Sequence, residues 1–173
     1  QRQAEEARIS KAFYTDYKES RLSLFAHLRT ENPDIPELTL FSKAQKLLDR
    51  VLFVCFCEDY NIIPYFTFRK LLESIKSNVF DASDDKIYRG VKNLFTSIEK
   101  GNPAANINRF NGGLFAPDDT LDNLIIKDKI LEPVILLSEY NFATDLNVNI
   151  LGNIFEQSIS DIEEIKAKIK GED

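Results

Sequence analysis

Between Lys43 and Tyr60 the chain carries Leu47, Leu48, Val51, Leu52, Val54, Cys55 and Phe56, an apolar set that covers nearly every side of a helix. A helix apolar all round has no face to offer to water, so it must lie at the centre of a bundle. The run Val51 to Cys57 is far too short to cross a bilayer, which leaves burial among other helices. Ser42 with Gln45 reads as a capping box opening this helix, and Asn61 and Pro64 close it. The partners that surround it should therefore be found elsewhere in the chain.

Residues 4–29 supply the first, a long amphipathic helix with Ile9, Phe13, Tyr17, Leu24, Phe25 and Leu28 on one side. Asn32-Pro33 ends it and Pro36 keeps the next stretch extended. A shorter helix is predicted over Phe68 to Ser77. Asp84 reads as the cap of another, running to Lys100 with Ile87, Val91, Leu94, Phe95 and Ile98 at helical spacing, and Gly101 sits at its C-terminal cap. Asn102 to Asp119 is the main irregular region. Helices resume over Lys127 to Tyr140 and Asp145 to Ser160, and Ile159, Ile162, Ile165 and Ile169 continue at helical spacing through a charged end. The fold class expected is mainly α: an irregular multi-helix bundle with a small turn or hairpin around residues 108–116. With 6 Gly and 6 Pro in 173 residues, many-turned β architecture is not expected.

The residue types that would carry chemistry do not assemble. Cys55 and Cys57 stand two apart on a helix and point to different sides, so they neither clamp one ion nor pair easily, and there is no further Cys. His27, the single histidine, reads as a surface or boundary residue. Asp118 with Glu164-Ile165-Lys166, and Asp34 with Asp84-Asp85-Lys86, imitate the acidic pattern of a metal-dependent nuclease. Such matches are cheap among 28 acidic residues, and these fall on helices and turns. Asn61-Ile62-Ile63-Pro64-Tyr65-Phe66 lacks the Pro-Pro of a base-binding wall, and Gly112-Gly113 is followed by no helix-opening pattern of a cofactor loop. No catalytic, cofactor-binding or metal-binding residue is assigned. A net charge of −6 with scattered Lys and Arg argues against a self-sufficient DNA grip. The polar, charged start is not that of a signal peptide, and a cytoplasmic protein without membrane contact is expected.

Three motifs remain, in order: Leu47-Leu48-Asp49-Arg50-Val51-Leu52-Phe53 with its Glu58-Asp59-Tyr60-Asn61-Ile62-Ile63-Pro64 end; the turn Phe110-Asn111-Gly112-Gly113-Leu114-Phe115; and Ile150-Leu151-Gly152-Asn153-Ile154-Phe155-Glu156-Gln157-Ser158. Read physically, Arg50 is placed to pair with a carboxylate near the helix surface, and Glu58 and Asp59 to receive a basic residue from the loop. Asn-Gly-Gly tolerates positive φ, and Gly152 allows a neighbour to approach. The ordered set resembles the helical connector, or spacer, of Type IIG-like restriction–modification enzymes and large adenine-specific DNA methyltransferases, with Phe155 where that family usually has Tyr.

The resemblance implies a non-catalytic connector over 1–160, then a charged helical linker over 161–173 leading to a catalytic domain outside the chain. The absence of Met and the Gln at position 1 fit a domain taken from a longer protein. That parent would methylate adenine with S-adenosylmethionine, with or without a fused endonuclease using Mg²⁺, and would meet duplex DNA through its flanking domains. Ile159 to Ile169 is expected to dock on the methyltransferase. The alternative is a stand-alone helical interaction module, for example in a phage-defence complex.

Overall fold

A computed structural model describes residues 2–172, and side chains to residue 171. Among these residues seven α-helices follow one another: α1 (Arg2–Glu31), α2 (Glu37–Asp59), α3 (Thr67–Ser77), α4 (Lys86–Lys100), α5 (Asp119–Asp122), α6 (Asp128–Ile135) and α7 (Val148–Glu172). Two 3₁₀ turns, Pro103–Ala105 and Leu136–Glu139, complete the order. Among the described residues there is no strand; the β-type pairing is one isolated antiparallel bridge between Asn102 and Ile107, just ahead of the Phe-Asn-Gly-Gly turn. The fold is a mainly α multi-helix bundle.

The apolar helix is its axis. Along α2, Leu40, Phe41, Ala44, Leu47, Leu48, Val51, Leu52, Val54, Cys55 and Cys57 are all buried, and α1, α5, α6, α7 and the second 3₁₀ turn pack around them. α1 brings Phe13, Tyr17, Leu24, Phe25 and Leu28 to this core. Each fully buried side chain of this size contributes roughly 1.5–3 kcal/mol, which is why α2 governs the assembly.

Helix starts depart from the local signals. α2 begins at Glu37, directly behind Pro36, whose φ of −56° already suits a helix. Starting there buries Leu40 and Phe41, so Ser42 and Gln45 lie inside the helix and the expected capping box does not form. Gln45 instead donates to the Tyr17 hydroxyl (2.8 Å) and to Asp49 (2.9 Å). The start of α4 is not capped by Asp84. Asp128, on α6, accepts the Ile87 N–H at 2.9 Å, and its own N–H donates to the Asp84 carbonyl at 2.7 Å. A carboxylate from another helix thus does the work of a local cap.

Two further helices are shorter or longer than their periodicity predicts. The segment expected as one helix from Lys127 to Tyr140 tightens into a 3₁₀ turn after Ile135, two residues beyond Pro133. α7 starts at Val148, where Asn147 accepts the Ile150 N–H at 3.1 Å, and runs through residue 160 without a break. It is fastened to α1 by the Tyr14 hydroxyl donating to Asp161 (2.5 Å) and by the buried Arg21 donating to Ser158 (3.0 Å). Within α7, Ile169 is buried and Ile162 and Ile165 pack against the same core. Ile159 alone of that series is largely exposed, so the segment expected to dock elsewhere is mostly spent on this chain's own packing.

Candidate functional site

The first two motifs converge on the axis. Arg50 projects from α2 into the irregular region and is only 2% exposed. Its Nε donates to the Leu114 carbonyl (2.8 Å) and its Nη2 to the Ala116 carbonyl (2.9 Å). The guanidinium lies 5.2 Å from the Phe95 ring centre and 5.7 Å from that of Phe115. Burial pushes its pKa down, opposed by Asp122, Tyr88, Asp118 and Glu99 nearby. The expected carboxylate partner at the surface is replaced by two backbone carbonyls, because the planar fork can satisfy both ends of one turn at once.

The turn is held from its other side by aromatic packing. Phe110 sits 4.6 Å from Phe53, and Phe115 lies 5.6 Å from Phe53 and 5.4 Å from Phe95. The Phe110 N–H donates to the Ile98 carbonyl at 2.9 Å, tying the turn to α4. The two glycines have different reasons to be glycine. Gly113 adopts a φ of +81°, while a Cβ on Gly112 would stand 2.4 Å from the Phe110 ring. Asn111 is exposed and has no positive φ, so the turn needs it less than expected.

Glu58 and Asp59 also hold backbone rather than a basic side chain. Glu58, 2% exposed, accepts the Phe68 N–H at 2.8 Å and so caps α3, which starts behind Phe66 in the left-handed region (φ 60°). Burial raises its pKa to about 7; the Phe68 N–H opposes the rise, and Asp59 adds to it. Asp59 accepts the Phe142 N–H at 2.7 Å in the segment leading to α7, and burial raises its pKa too. No ion pair within 4.0 Å involves either acid among the described residues. One helix therefore reaches three separate segments, around residues 68, 115 and 142, through Glu58, Arg50 and Asp59.

The third motif stands apart from that convergence. Leu151, Ile154 and Ser158 face inward and are buried, whereas Gly152, Phe155 and Glu156 are exposed. A Cβ at Gly152 would meet nothing within 4 Å, so within this chain Gly152 serves no close approach.

Residues weighed for chemistry are engaged structurally. His27 is buried rather than at the surface: its Nε2 accepts the Lys127 N–H at 3.0 Å, and burial lowers its pKa. Cys55 and Cys57 are free and buried; burial pushes Cys57 to about 11 and Cys55 well above its ordinary value, so neither is a ready thiolate. Asp118 caps α5 through the Leu121 N–H and is bound by Lys43 (2.9 Å) and Lys46 (2.8 Å). Burial would raise its pKa, but those three partners hold it far below the carboxylate range. Among the described residues no group of three or more His, Cys, Asp or Glu side chains could hold a metal ion. No described helix is long and apolar enough to cross a membrane.

Two side chains that spacing could not single out belong with the motifs. Asn32 donates to the Ile125 carbonyl (3.2 Å) and accepts the Ile125 N–H (2.9 Å), closing the α1 end onto the α5–α6 connection. Arg21 is the second buried arginine, set against the Tyr17 ring at 5.6 Å. An Asn after a helix or an Arg on an amphipathic face carries no signal of such a role.

A helical scaffold segment, whose polar groups are spent on bracing its own loops, is what this geometry defines. Residues 42–115 match the model of the helicase spacer domain of MmeI, a span that includes Arg50, Glu58, Asp59 and the whole Phe-Asn-Gly-Gly turn. A Methanocaldococcus jannaschii protein, named provisionally as a type II restriction enzyme and methyltransferase, is 30% identical over 151 residues, covering 74% of this chain and 13% of that relative. The chain contains a spacer region of restriction–modification enzymes. No solved structure matches it.

Proposed function

We propose that this chain is the rigid connector of a multidomain restriction–modification protein of the Type IIG kind. In this reading it fixes the orientation of a methyltransferase domain relative to its neighbours on duplex DNA. The methyltransferase uses S-adenosylmethionine to methylate adenine, in the cytoplasm, and any fused endonuclease supplies its own Mg²⁺ site. The observation that carries the reading is the cross-bracing of α2: Arg50, Glu58 and Asp59 each fix a loop far away in sequence. A connector needs this, because an angular error at a hinge grows with distance from it.

The test is made on the longer polypeptide that includes this chain. With labelled S-adenosylmethionine, that polypeptide should methylate adenine in duplex DNA, while the 173-residue chain alone transfers nothing. Replacing the chain by a flexible Gly-Ser linker of equal length should abolish or strongly reduce transfer. Undiminished transfer through the flexible linker removes the positioning role, and absence of adenine methylation by the intact polypeptide removes the methyltransferase assignment.

A further inference from the structure

The two halves of α7 treat their apolar residues in opposite ways. In the second half Ile162, Ile165 and Ile169 turn toward the core. In the first half Val148, Phe155 and Ile159 are 59%, 38% and 59% exposed. With Gly152 they fall at steps of four, three and four residues, which is one continuous line along a helix. Beside that line lies a groove of about 470 Å³ between α7 and α2, floored by Leu52, Phe142 and Leu151 and walled by Phe53 and Phe56.

The groove is apolar with an acidic margin. Asp49 is the single ionisable side chain among the described residues that line it, and Glu156 and Glu163 stand exposed along α7 beside the stripe. Among the described residues no Lys or Arg lines it. Gly152 leaves open space where a side chain would stand, room for another backbone to come close.

From these features we infer that the α2–α7 groove receives an amphipathic α-helix, apolar on the inner side and flanked by Lys or Arg, from a flanking domain of the same polypeptide. The four-three-four spacing suits a helix laid along a helix. The acidic margin selects a cationic flank and disfavours a second copy of α7, whose own stripe is bordered by the same Glu156 and Glu163. The inference rests on the connector reading. A relative in which the matched stretch is 13% of the length leaves ample chain to supply the helix.

Two synthetic helices with the same leucine stripe, one flanked by Lys and one by Glu, serve as probes of the intact 173-residue chain by fluorescence anisotropy. The Lys-flanked helix should bind at least tenfold more tightly than the Glu-flanked one. Gly152→Leu should weaken it at least tenfold with no loss of thermal stability, and Leu22→Ala, at an exposed apolar site on α1, should change nothing. Absence of binding, equal binding of the two probes, or indifference to Gly152→Leu overturns the site. For the source, alkylation of the Phe155→Cys variant is compared in the 173-residue chain and in the longer polypeptide; Cys55 and Cys57 are buried and stay silent. Flanking-domain occupancy predicts a rate at least tenfold slower in the longer polypeptide, and equal rates overturn that source. Equal rates in a polypeptide that still methylates DNA remove the flanking-domain source alone, whereas a shielded site without methylation removes the methyltransferase reading alone.

Discussion

Replacing Glu58 by Gln should remove an unusual pH dependence of stability. Glu58 is 2% exposed, its Oε1 accepts the Phe68 N–H, and burial raises its pKa from the ordinary 4.5 to about 7. The folded protein thus holds a proton over a range in which the unfolded chain has released it. Stability from this group is complete below pH 4.5 and is lost as pH rises through about 7, the opposite of a salt-bridged carboxylate. At about 1.36 kcal/mol per pH unit, the full loss is about 3 kcal/mol. Glu58→Gln keeps an oxygen for the Phe68 N–H and removes the charge. Urea unfolding followed by far-UV circular dichroism should find the two proteins within ~0.5 kcal/mol at pH 4.5 and the variant ahead by about 2–3 kcal/mol at pH 8.5. His27 titrates in both proteins without facing Glu58, so its contribution cancels in the difference. A difference that does not change with pH, or a variant less stable at pH 8.5, refutes the account of Glu58 as a buried acid capping α3.

Arg50→Met should destabilise by about 1–3 kcal/mol, because the Leu114 and Ala116 carbonyls lose their donor in a partly buried setting, and Arg50→Lys should recover less than half, having no fork; paired denaturant curves measure both. Gly113→Ala should cost about 1 kcal/mol for its positive φ, whereas Gly152→Ala should add up to about 1 kcal/mol in thermal unfolding of the 173-residue chain, since it sits inside an exposed helix with open space at its Cβ. Asn32→Ala should cost about 1–2 kcal/mol in denaturant melts by removing both partners of the Ile125 backbone, which is half exposed and regains water in part, and Asn32→Asp should recover part through the Ile125 N–H.

Burial of whole helices was legible in the sequence, and the placement of individual polar groups was not. The all-round apolar character of α2 and the spacing of Phe13, Tyr17, Leu24 and Leu28 on α1 lead to the observed core, because one period governs both pattern and packing. Ser42 and Gln45 misled because a capping pattern competes with the gain from burying Leu40 and Phe41, and burial is larger. Asp128 could not be found as the cap of α4, since it lies 41 residues from Ile87 and local spacing carries no long-range distance. The same reason hides the true partners of Arg50, Glu58 and Asp59: they are carbonyls and amides, which every residue possesses. The isoleucines from 159 to 169 announced a helix face without saying whose core it would meet.

The borrowed helix starts have a consequence for how the molecule comes apart. α3 depends on a carboxylate of α2, and α4 on one of α6, so neither can fray from its first turn while the rest stays intact. Amide exchange at Phe68 and Ile87 should therefore require the same large opening as exchange at the centre of α2, at one shared free energy. A segment built this way should yield as one cooperative unit, not helix by helix.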